Sequence, residues 1–300
     1  MSGKIERGIY YISNAGAPIV MDMLSGESSD GARIGAWSLV DPSGINSYHQ
    51  QWFIEPVDEC ADPYDEKYTI RNIKSGSYMD LANTIPYTNG ATLIGRARGG
   101  DSQHWYIRPD EGGSVRFCNS VTETYLDLNQ GTSSKGAVIA GWLWVGYGPS
   151  RFNQLWRLER VSRTGEEIRE QLKSHPSIGQ ELMIRRPNAI FIVPPRAILQ
   201  EIYKQSGLKS TRLRKGLFEC DDFAFGLKAA VATWADKNLG ADGFSVLCGM
   251  MFVDSRHGSH AINWTLSDDT SNPSLLVVEP QDGTIKEAIP SEYTVQSGSF

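Results

Sequence analysis

Three residues in the C-terminal half have the side chains of a nucleophilic catalyst: Cys220, His260 and Glu279. A thiolate is a strong nucleophile, an imidazole can take up and return its proton, and a carboxylate can orient the ring and stabilise its cationic form. Cys220 begins a predicted helix, where the free backbone N–H groups of the first turn favour a negative charge. These residues therefore predict attack of a sulfur on a carbonyl carbon.

Each of these residues also has an ordinary structural explanation. A single cysteine is most often a small buried hydrophobic residue, and Asp221 and Asp222 next to Cys220 oppose a thiolate. His257 precedes His260 by three positions and is a rival base, and Glu279 could simply end a strand. The order cysteine, histidine, acid, with the cysteine on a helix and the others on later strands, is the layout of papain-like cysteine proteases.

A second chemistry is indicated in the N-terminal half, where carboxylates recur at a fixed distance from aromatic residues. Trp37 follows Asp22 by 15 positions, and Trp142 follows Asp127 by the same 15. A carboxylate accepts hydrogen bonds from sugar hydroxyls, and an aromatic face packs against the C–H side of a sugar ring. The pattern predicts shallow carbohydrate sites, and the alternative is that the aspartates only satisfy backbone donors at strand ends.

These carboxylates recur because the first half of the chain is a threefold repeat. Gln-x-Trp begins at positions 50, 103 and 154, and each copy shows short alternating strands separated by Gly, Asp, Asn and Ser. One copy cannot bury its own apolar face, whereas three copies around an axis can, with the three tryptophans in a shared core. We therefore expect an all-β domain over residues 1–160.

Three Gln-x-Trp copies at this period resemble the ricin-B-type β-trefoil lectins, over about residues 7–160. The resemblance implies that the aspartate in each second strand, the aromatic residue and an amide beside the glutamine bind sugar. In the second copy Arg96 replaces the aromatic residue, and its guanidinium could instead meet an anionic sugar such as sialic acid. The candidate residues, with His49 as an alternative to its neighbours, are Asp22, Trp37, Asn46, Gln50, Asp80, Arg96, Asp101, Gln103, Asp127, Trp142, Asn153 and Gln154. The glutamines also have a structural explanation, as residues that support a loop.

Residues 161–300 follow a different pattern and predict a separate α+β domain. A Thr-x-x-Glu capping box opens a helix at Thr164, a second helix covers 195–207, and a third starts at Cys220. The third carries one apolar stripe, formed by Phe223, Leu227, Ala230, Val231 and Trp234. Strands are predicted over 244–253, 260–266 and 275–279, and the sequon at Asn263 falls inside the second of these.

Composition excludes some classes of function. The chain has 29 Lys and Arg against 35 Asp and Glu, a net charge of −6, so it lacks the basic field typical of a nucleic-acid binder. No stretch approaches the ~18 apolar residues of a transmembrane segment. The N-terminus shows no apolar signal segment, which predicts a cytoplasmic location in the producing cell. The four cysteines form no C-x-x-C pair and are expected to be free thiols.

Three further motifs extend the resemblance to nearly the whole chain: Phe218-Glu-Cys-Asp-Asp-Phe-Ala, Cys-Gly-x-Met at 248–251, and Val278-Glu-Pro-Gln-Asp-Gly. With the repeats, they resemble the fungal chimerolectins of the Marasmius oreades and Polyporus squamosus agglutinin type. This resemblance implies a lectin for galactosyl or sialogalactosyl glycans, fused to a papain-like cysteine protease domain that carries the dimer contacts. It implies Cys220 as nucleophile, His260 as base and Glu279 as acid.

The resemblance also implies a divalent cation, calcium or manganese, for the second domain. Asp221, Asp222 and Gln281 offer the hard oxygen ligands that such cations take. A bound cation would also neutralise the two aspartates beside the thiol. Alternatively, both aspartates only occupy the first helical turn, where acidic residues are favoured. Asp282 stands where the family pattern has an asparagine.

The sequence thus predicts a β-trefoil lectin joined to a metal-dependent cysteine endopeptidase, a homodimer that acts as a defence toxin on the glycoconjugates and proteins of another organism. Dimerisation would let several weak sugar sites bind at once, which raises the overall avidity without any new contact. One alternative is a pure agglutinin whose C-terminal domain is an inactive dimerisation scaffold. A glycosidase is a third possibility, but no pair of carboxylates stands out in residues 161–300.

Overall fold

The computed structural model describes residues 4–300 except 59, 61, 63, 174–177, 179–181, 184–185, 257 and 270–272. His257, the rival base, lies outside the described residues. The chain divides into two compact units, the first formed by Met1–Val161 with Leu239–Asp242 and the second by Ser162–Asn238 with Gly243–Phe300. Each unit is described by itself.

The first unit is all β and has threefold symmetry. Strands β1, β4, β5, β8, β9 and β12 pair in turn into a closed barrel, because β12 pairs back to β1. The other strands form three hairpins, β2–β3, β6–β7 and β10–β11. The strands are β1 Gly8–Asn14, β2 Val20–Met23, β3 Ala32–Trp37, β4 Gln51–Pro56, β5 Lys67–Asn72, β6 Tyr78–Leu81, β7 Ala91–Arg96, β8 Trp105–Pro109, β9 Val115–Asn119, β10 Tyr125–Leu128, β11 Ala137–Trp142 and β12 Trp156–Arg160.

This arrangement is a β-trefoil, so the predicted architecture of the first half is confirmed. Short 3₁₀ helices connect its strands. Those in the described residues are Leu24–Gly26, Ile45–Gln50, Asp101–Gln103, Glu111–Gly113, Asn129–Gly131 and Pro149–Gln154. The last residue of the second, third and sixth of these helices is the glutamine of a Gln-x-Trp motif.

The tryptophans of the three motifs form the centre of the trefoil core. Trp52, Trp105 and Trp156 are all fully buried. Their indole N–H groups donate to the backbone oxygens of Met21, Met79 and Leu126, at 3.1, 3.0 and 3.1 Å respectively. Each accepting carbonyl belongs to the residue before a candidate aspartate. The core therefore fixes the strand that carries each carboxylate.

The second unit combines two sheets with three helices in the described residues. One sheet has the order β13-β15-β16 and the other β14-β21-β17-β18-β19-β20. The helices are α1 Gly165–Lys173, α2 Arg196–Gln205 and α3 Cys220–Asn238, with a 3₁₀ helix at Leu208–Ser210. The strands are β13 Ser162–Thr164, β14 Leu182–Met183, β15 Ile190–Ile192, β16 Phe244–Val246, β17 Gly249–Ser255, β18 Gly258–Leu266, β19 Leu275–Val278, β20 Ile285–Lys286 and β21 Thr294–Ser299.

Local sequence signals explain where these helices begin and what they bury. The capping box is present, since Thr164 Oγ1 accepts from the N–H of Glu167 at 3.1 Å and Glu167 Oε2 accepts from the N–H of Thr164 at 2.6 Å. Helix α3 buries the predicted stripe except for Ala230, which is half-buried, and it also buries Ala224.

The prediction of one strand over 244–253 was wrong. The segment forms two strands, β16 and β17, that belong to different sheets. Between them Leu247 donates its N–H to Ile192 O, and Cys248 O accepts from Lys228 Nζ, so the chain leaves one sheet and enters the next. A continuous apolar run does not reveal such a change of sheet.

Asn263 lies inside strand β18 and is fully buried, as predicted for the sequon. Its amide nitrogen donates to the backbone oxygens of Ala224 and Gly249, at 3.0 and 3.2 Å. The side chain therefore joins α3 to β17. In the described residues, no helix has the length and hydropathy needed to cross a membrane.

Replacement of a core indole tests this account of the trefoil. Trp105→Ala removes a fully buried side chain and its hydrogen bond, so we expect the free energy of unfolding to fall by about 3–5 kcal/mol. Trp142→Ala is the matched control, because this indole is 40% exposed and an exposed residue usually contributes within about 0.5 kcal/mol. Equal effects in a denaturant titration would contradict the assignment.

Candidate functional site

The three candidate carboxylates lie at equivalent places, in the second strand of each repeat. Asp22, Asp80 and Asp127 are 6%, 2% and 8% exposed. Burial raises the pKa of Asp22, and it raises the pKa of Asp127 to about 6, while the amide of the nearby glutamine opposes both shifts. The first and third repeats thus each hold a buried carboxylate whose pKa is raised.

The strand register places each aromatic candidate diagonally across the hairpin from the carboxylate, since it pairs with the residue two positions before the aspartate. Val20 pairs with Trp37, Tyr125 pairs with Trp142, and Tyr78 pairs with Arg96. Arg96 therefore takes the position of the aromatic residue, as the sequence predicted. Trp142 exposes 40% of its surface.

Trp37 is half-buried, and the Nζ atom of Lys135 lies 5.6 Å from its ring centroid. A sugar that packs on this indole meets a positive charge beside it. The first and third repeats thus differ in the surroundings of their aromatic residues.

The glutamines of the three motifs brace the loop behind the aromatic residue. Gln50 Nε2 donates to Ser38 O at 3.0 Å and to Asp22 Oδ2 at 2.7 Å, and its Oε1 accepts from the N–H of Val40 at 3.0 Å. Both amide hydrogens are used. The structural explanation of the glutamine therefore accounts for all of its hydrogen bonds in the first repeat.

The same brace recurs in the other two repeats. Gln154 Nε2 donates to Leu143 O and its Oε1 accepts from the N–H of Val145, at 3.0 and 2.8 Å. Gln103 bonds Ala97 O and Gly99 N in the same way, both at 2.7 Å. The glutamine side chains are buried, and each one supports the loop that follows the candidate aromatic residue or Arg96.

The second repeat engages its carboxylate with protein groups. Asp80 Oδ2 lies 3.7 Å from Arg96 Nη1 and accepts from Ser102 Oγ at 3.3 Å, while Oδ1 accepts from the N–H of Leu81 at 2.7 Å. Asp101 is largely exposed and lies 3.5 Å from His104 Nδ1. A neutral sugar would have to compete with a cation for Asp80.

The residue before each glutamine is a site position that the sequence left open. The backbone oxygens of His49, Ser102 and Asn153 accept from equivalent asparagine side chains, at 2.8, 2.7 and 3.1 Å. The counterpart of Asn153 in the first repeat is therefore His49. Asn46 lies exposed three residues earlier on the 3₁₀ helix, so it is not the structural counterpart of Asn153, and its role in sugar binding stays a prediction.

In the first and third repeats, the side chain before the glutamine packs closely against a glycine. A Cβ atom on Gly26 would lie 2.5 Å from His49 Nε2, and one on Gly131 would lie 2.6 Å from Asn153 Oδ1. Burial lowers the pKa of His49, against the opposing effect of Asp22. In the sequence, this position can be recognised because it comes immediately before each Gln-x-Trp motif. It was missed because the three repeats have different residues there, His49, Ser102 and Asn153.

In the second unit, the predicted base and acid form a close pair. His260 lies on β18 and Glu279 directly follows β19, and the two strands pair in antiparallel register. His260 Nε2 lies 2.8 Å from Glu279 Oε2. Both side chains are partly exposed, at 19% and 24%. The other carboxylate oxygen accepts from the N–H of Gln281 at 3.2 Å.

Cys220 is the first residue of α3 and is partly buried. It packs against the small cluster of Ala224, Met250 and Ala261, and Ala261 directly follows His260 on β18. Cys220 therefore lies beside the strand that carries His260.

All four cysteines are free thiols, as predicted. Burial raises the pKa of Cys118, and it raises the pKa of Cys248 to about 11, so neither is suited to act as a nucleophile. Cys60 is exposed and lies in the trefoil unit. Cys220 is thus the cysteine whose exposure and helix position suit nucleophilic chemistry.

Asp222, a proposed metal ligand, and Asp282, which follows another, both accept local hydrogen bonds. Among the described residues, no three His, Cys, Asp or Glu side chains converge as a metal ion would require. Asp222 Oδ2 accepts from the N–H of Glu219 at 2.8 Å and so caps α3, and Asp282 Oδ1 accepts from the N–H of Thr284 at 2.8 Å. The assignment of Asp221, Asp222 and Gln281 to a cation stays a prediction.

Comparisons with known proteins agree with the architecture of both units. The ricin-type beta-trefoil lectin domain-like family matches residues 48–142, and the agglutinin C-terminal family matches residues 191–285. The fold and sites of the first unit define a carbohydrate-binding lectin of the ricin-B type.

Solved structures identify the family. The chain is 33% identical to the Polyporus squamosus lectin, solved bound to the human-type influenza-binding epitope Neu5Acα2-6Galβ1-4GlcNAc, with a TM-score of 0.80 and 99% of each chain covered. It is 32% identical to PSL1a, solved as a complex with E64, with a TM-score of 0.79 and the same coverage. The chain belongs to the family of the Polyporus squamosus lectin.

A curated relative matches about half of the chain. The exo-beta-1,6-galactobiohydrolase of Bifidobacterium longum is 25% identical over 171 residues, which are 54% of this chain. The chain spans only 11% of the length of that enzyme.

Loss of single carboxylates tests the ranking of the three repeats. We expect Asp127→Asn and Asp22→Asn each to weaken glycan binding by about tenfold or more, because hydrogen bonds to a charged acceptor contribute about 1.5–3 kcal/mol. Asp80→Asn is expected to change binding less than twofold, since Asp80 already bonds Arg96 and Ser102. A glycan array first selects a glycan that the wild type binds, and titration calorimetry then measures the affinity of each variant for it. A large loss in Asp80→Asn would contradict the ranking.

Acidification should weaken the third repeat. Its carboxylate has a pKa raised to about 6, so falling pH protonates Asp127 and removes the charge that accepts sugar hydroxyls. The Asp22→Asn variant leaves the third repeat as the one strong candidate site. Its affinity for the glycan should fall as the pH drops through about 6. Affinity that is constant from pH 7.5 to 5 would refute this expectation, and the Asp22→Asn/Asp127→Asn double variant is the control.

Proposed function

We propose that this lectin binds galactosyl or sialogalactosyl glycans through its first and third repeats and that its second unit is a cysteine endopeptidase. The observation that carries the enzymatic half is the 2.8 Å contact of His260 Nε2 with Glu279 Oε2, in a unit whose partly buried cysteine begins a helix beside the same strand. In this proposal the lectin brings the peptidase to glycoconjugates of another organism.

The glycan class is supported by site chemistry and by the related lectin. Ionised Asp22 and Asp127 would accept hydrogen bonds from sugar hydroxyls, while Trp37 and Trp142 would pack against the apolar face of the ring. The Polyporus squamosus lectin was solved with a sialylated galactosyl epitope. Lys135, which lies over Trp37, would favour a glycan that carries a negative charge in the first repeat.

The proposed peptidase mechanism assigns a different role to each nitrogen of the His260 ring. Because Glu279 holds Nε2, the other ring nitrogen, Nδ1, is left to exchange a proton with the thiol. The Cys220 thiol would give its proton to Nδ1, and the sulfur would attack the peptide carbonyl carbon. The imidazolium would then protonate the leaving amine as the C–N bond breaks. Water would hydrolyse the resulting thioester and restore the thiol.

Glu279 would act throughout as an orienting group. Its carboxylate fixes the ring tautomer and stabilises the positive charge that appears on His260 during each proton transfer. No step in this scheme passes through a metal ion. The complex of PSL1a with E64 supports the proposal, because E64 is an epoxide that reacts with nucleophilic thiols.

Substitution of the nucleophile separates the peptidase from the lectin. Cys220→Ala should lose cleavage of a denatured protein substrate by at least about 10³-fold, because the sulfur forms the covalent bond, and it should keep full haemagglutination. E64 should add one mass equivalent to the wild type and none to Cys220→Ala. Cys60→Ala, at an exposed thiol, is the matched control and should retain cleavage and labelling.

Cleavage that persists in Cys220→Ala would overturn the proposal. The assay is run with chelator, with Ca²⁺ and with Mn²⁺, which tests the proposed cation in the same experiment. The mass of the particle in solution, measured by light scattering, tests the proposed homodimer and the gain in avidity that it would give.

A pure agglutinin is the second candidate, and the matched families favour it. One family match is to a lectin domain and the other is to an agglutinin C-terminal domain. If the wild type binds glycans but neither cleaves a peptide nor reacts with E64 under any of the three metal conditions, the second unit is a scaffold.

A further inference from the structure

A tyrosine lies behind the His260–Glu279 pair and is linked to it by hydrogen bonds. Tyr203 belongs to helix α2 and is 5% exposed. Its hydroxyl donates to the backbone oxygen of Gln281 at 2.9 Å. The N–H of the same residue donates to Glu279 Oε1 at 3.2 Å, and Glu279 Oε2 contacts the imidazole. The chain of contacts thus runs from α2 to the candidate base.

The turn between the acid and the next strand is packed onto the tyrosine ring. The turn is closed by the N–H of Gly283, which donates to Glu279 O at 2.8 Å, and by the N–H of Glu279, which donates to Thr284 O at 2.9 Å. Gly283 has a φ of +79°, and a Cβ there would lie 2.4 Å from the ring of Tyr203. Only glycine combines this backbone conformation with so close an approach.

The hydroxyl is suited to act as a permanent donor. Burial raises the pKa of Tyr203, and the negative charges of Asp282 and Glu279 raise it further. The phenol therefore keeps its proton over the pH range in which an imidazole titrates. A phenolate could not donate to the Gln281 carbonyl.

We propose that Tyr203 is a positioning residue for Glu279, which it orients toward His260 by fixing the backbone of Gln281. The Gln281 carbonyl and the Gln281 N–H belong to successive peptide units joined at the same Cα atom, so a shift of this residue would withdraw the N–H that holds Oε1, and the carboxylate could then turn away from the imidazole. The consequence for turnover rests on the proposed peptidase function. The consequence for the protonation of His260 does not, since it depends only on the distance between carboxylate and ring.

Other groups near the pair define what the test must hold constant. Tyr293 lies with its ring centroid 6.2 Å from that of His260, and burial raises its pKa with added effects of Glu279 and Glu292. Asp282 lies on the same turn as Gln281. Tyr203→Phe leaves all of these groups in place and removes one oxygen atom, so it isolates the hydrogen bond to the Gln281 carbonyl.

The experiment follows the titration of His260 by NMR in the full chain, with His260→Asn used to assign its signals among the five histidines. In Tyr203→Phe, the midpoint of the titration should lie at lower pH than in the wild type, because a misplaced carboxylate stabilises the imidazolium less. Gly283→Ala, which pushes the turn off the ring, should move it in the same direction. Tyr10→Phe is the matched control, since Tyr10 donates to Glu6 O at 2.7 Å in the trefoil unit.

A purely structural hydroxyl would change the thermal stability of Tyr203→Phe and leave the His260 titration as in the wild type, and that result would overturn the proposal. If the wild type is a peptidase, the acid limb of its kcat/KM profile should shift together with the NMR midpoint. If it is not, a shifted midpoint still supports the positioning role, and the peptidase proposal alone fails.

Discussion

The three hydrogen bonds from buried indoles to strand carbonyls are the interaction on which the lectin half depends. Trp52, Trp105 and Trp156 each donate to the residue before an aspartate. Burial of an indole is favourable only if its N–H finds an acceptor, so the core selects one position for the strand that carries the carboxylate. The same event that forms the core therefore places each candidate carboxylate.

The repeats differ at the surface although their supports are the same. The glutamine braces, the asparagine bonds and the core indoles recur three times. The residue diagonally across the hairpin from the carboxylate is Trp, Arg and Trp, and the residue before the glutamine is His, Ser and Asn. A side chain with one exposed end can change without a cavity or an unpaired buried group, whereas a brace cannot. One scaffold thus carries three chemically distinct sites.

In the second unit, the candidate catalytic pair is built by neighbouring strands and a turn. Antiparallel β18 and β19 bring His260 and Glu279 together across 19 positions of sequence. The turn at Gly283 and the phenol of Tyr203 then fix the carboxylate. Two acidic residues of this unit make local hydrogen bonds: Asp222 caps α3 and Asp282 closes a turn.

The sequence by itself determined the trefoil, because a threefold period of Gln-x-Trp and short alternating strands leaves few ways to bury three apolar faces. It also determined the first turns of α1 and α3 and the replacement of an aromatic residue by Arg96, since capping and register are local properties. Only the tertiary structure decided that His49 and not Asn46 is the counterpart of Asn153, that 244–253 divides between two sheets, and that Tyr203 reaches the turn after Glu279. These outcomes depend on contacts between residues far apart in the chain, and local residue preference contains no information about which distant groups will meet.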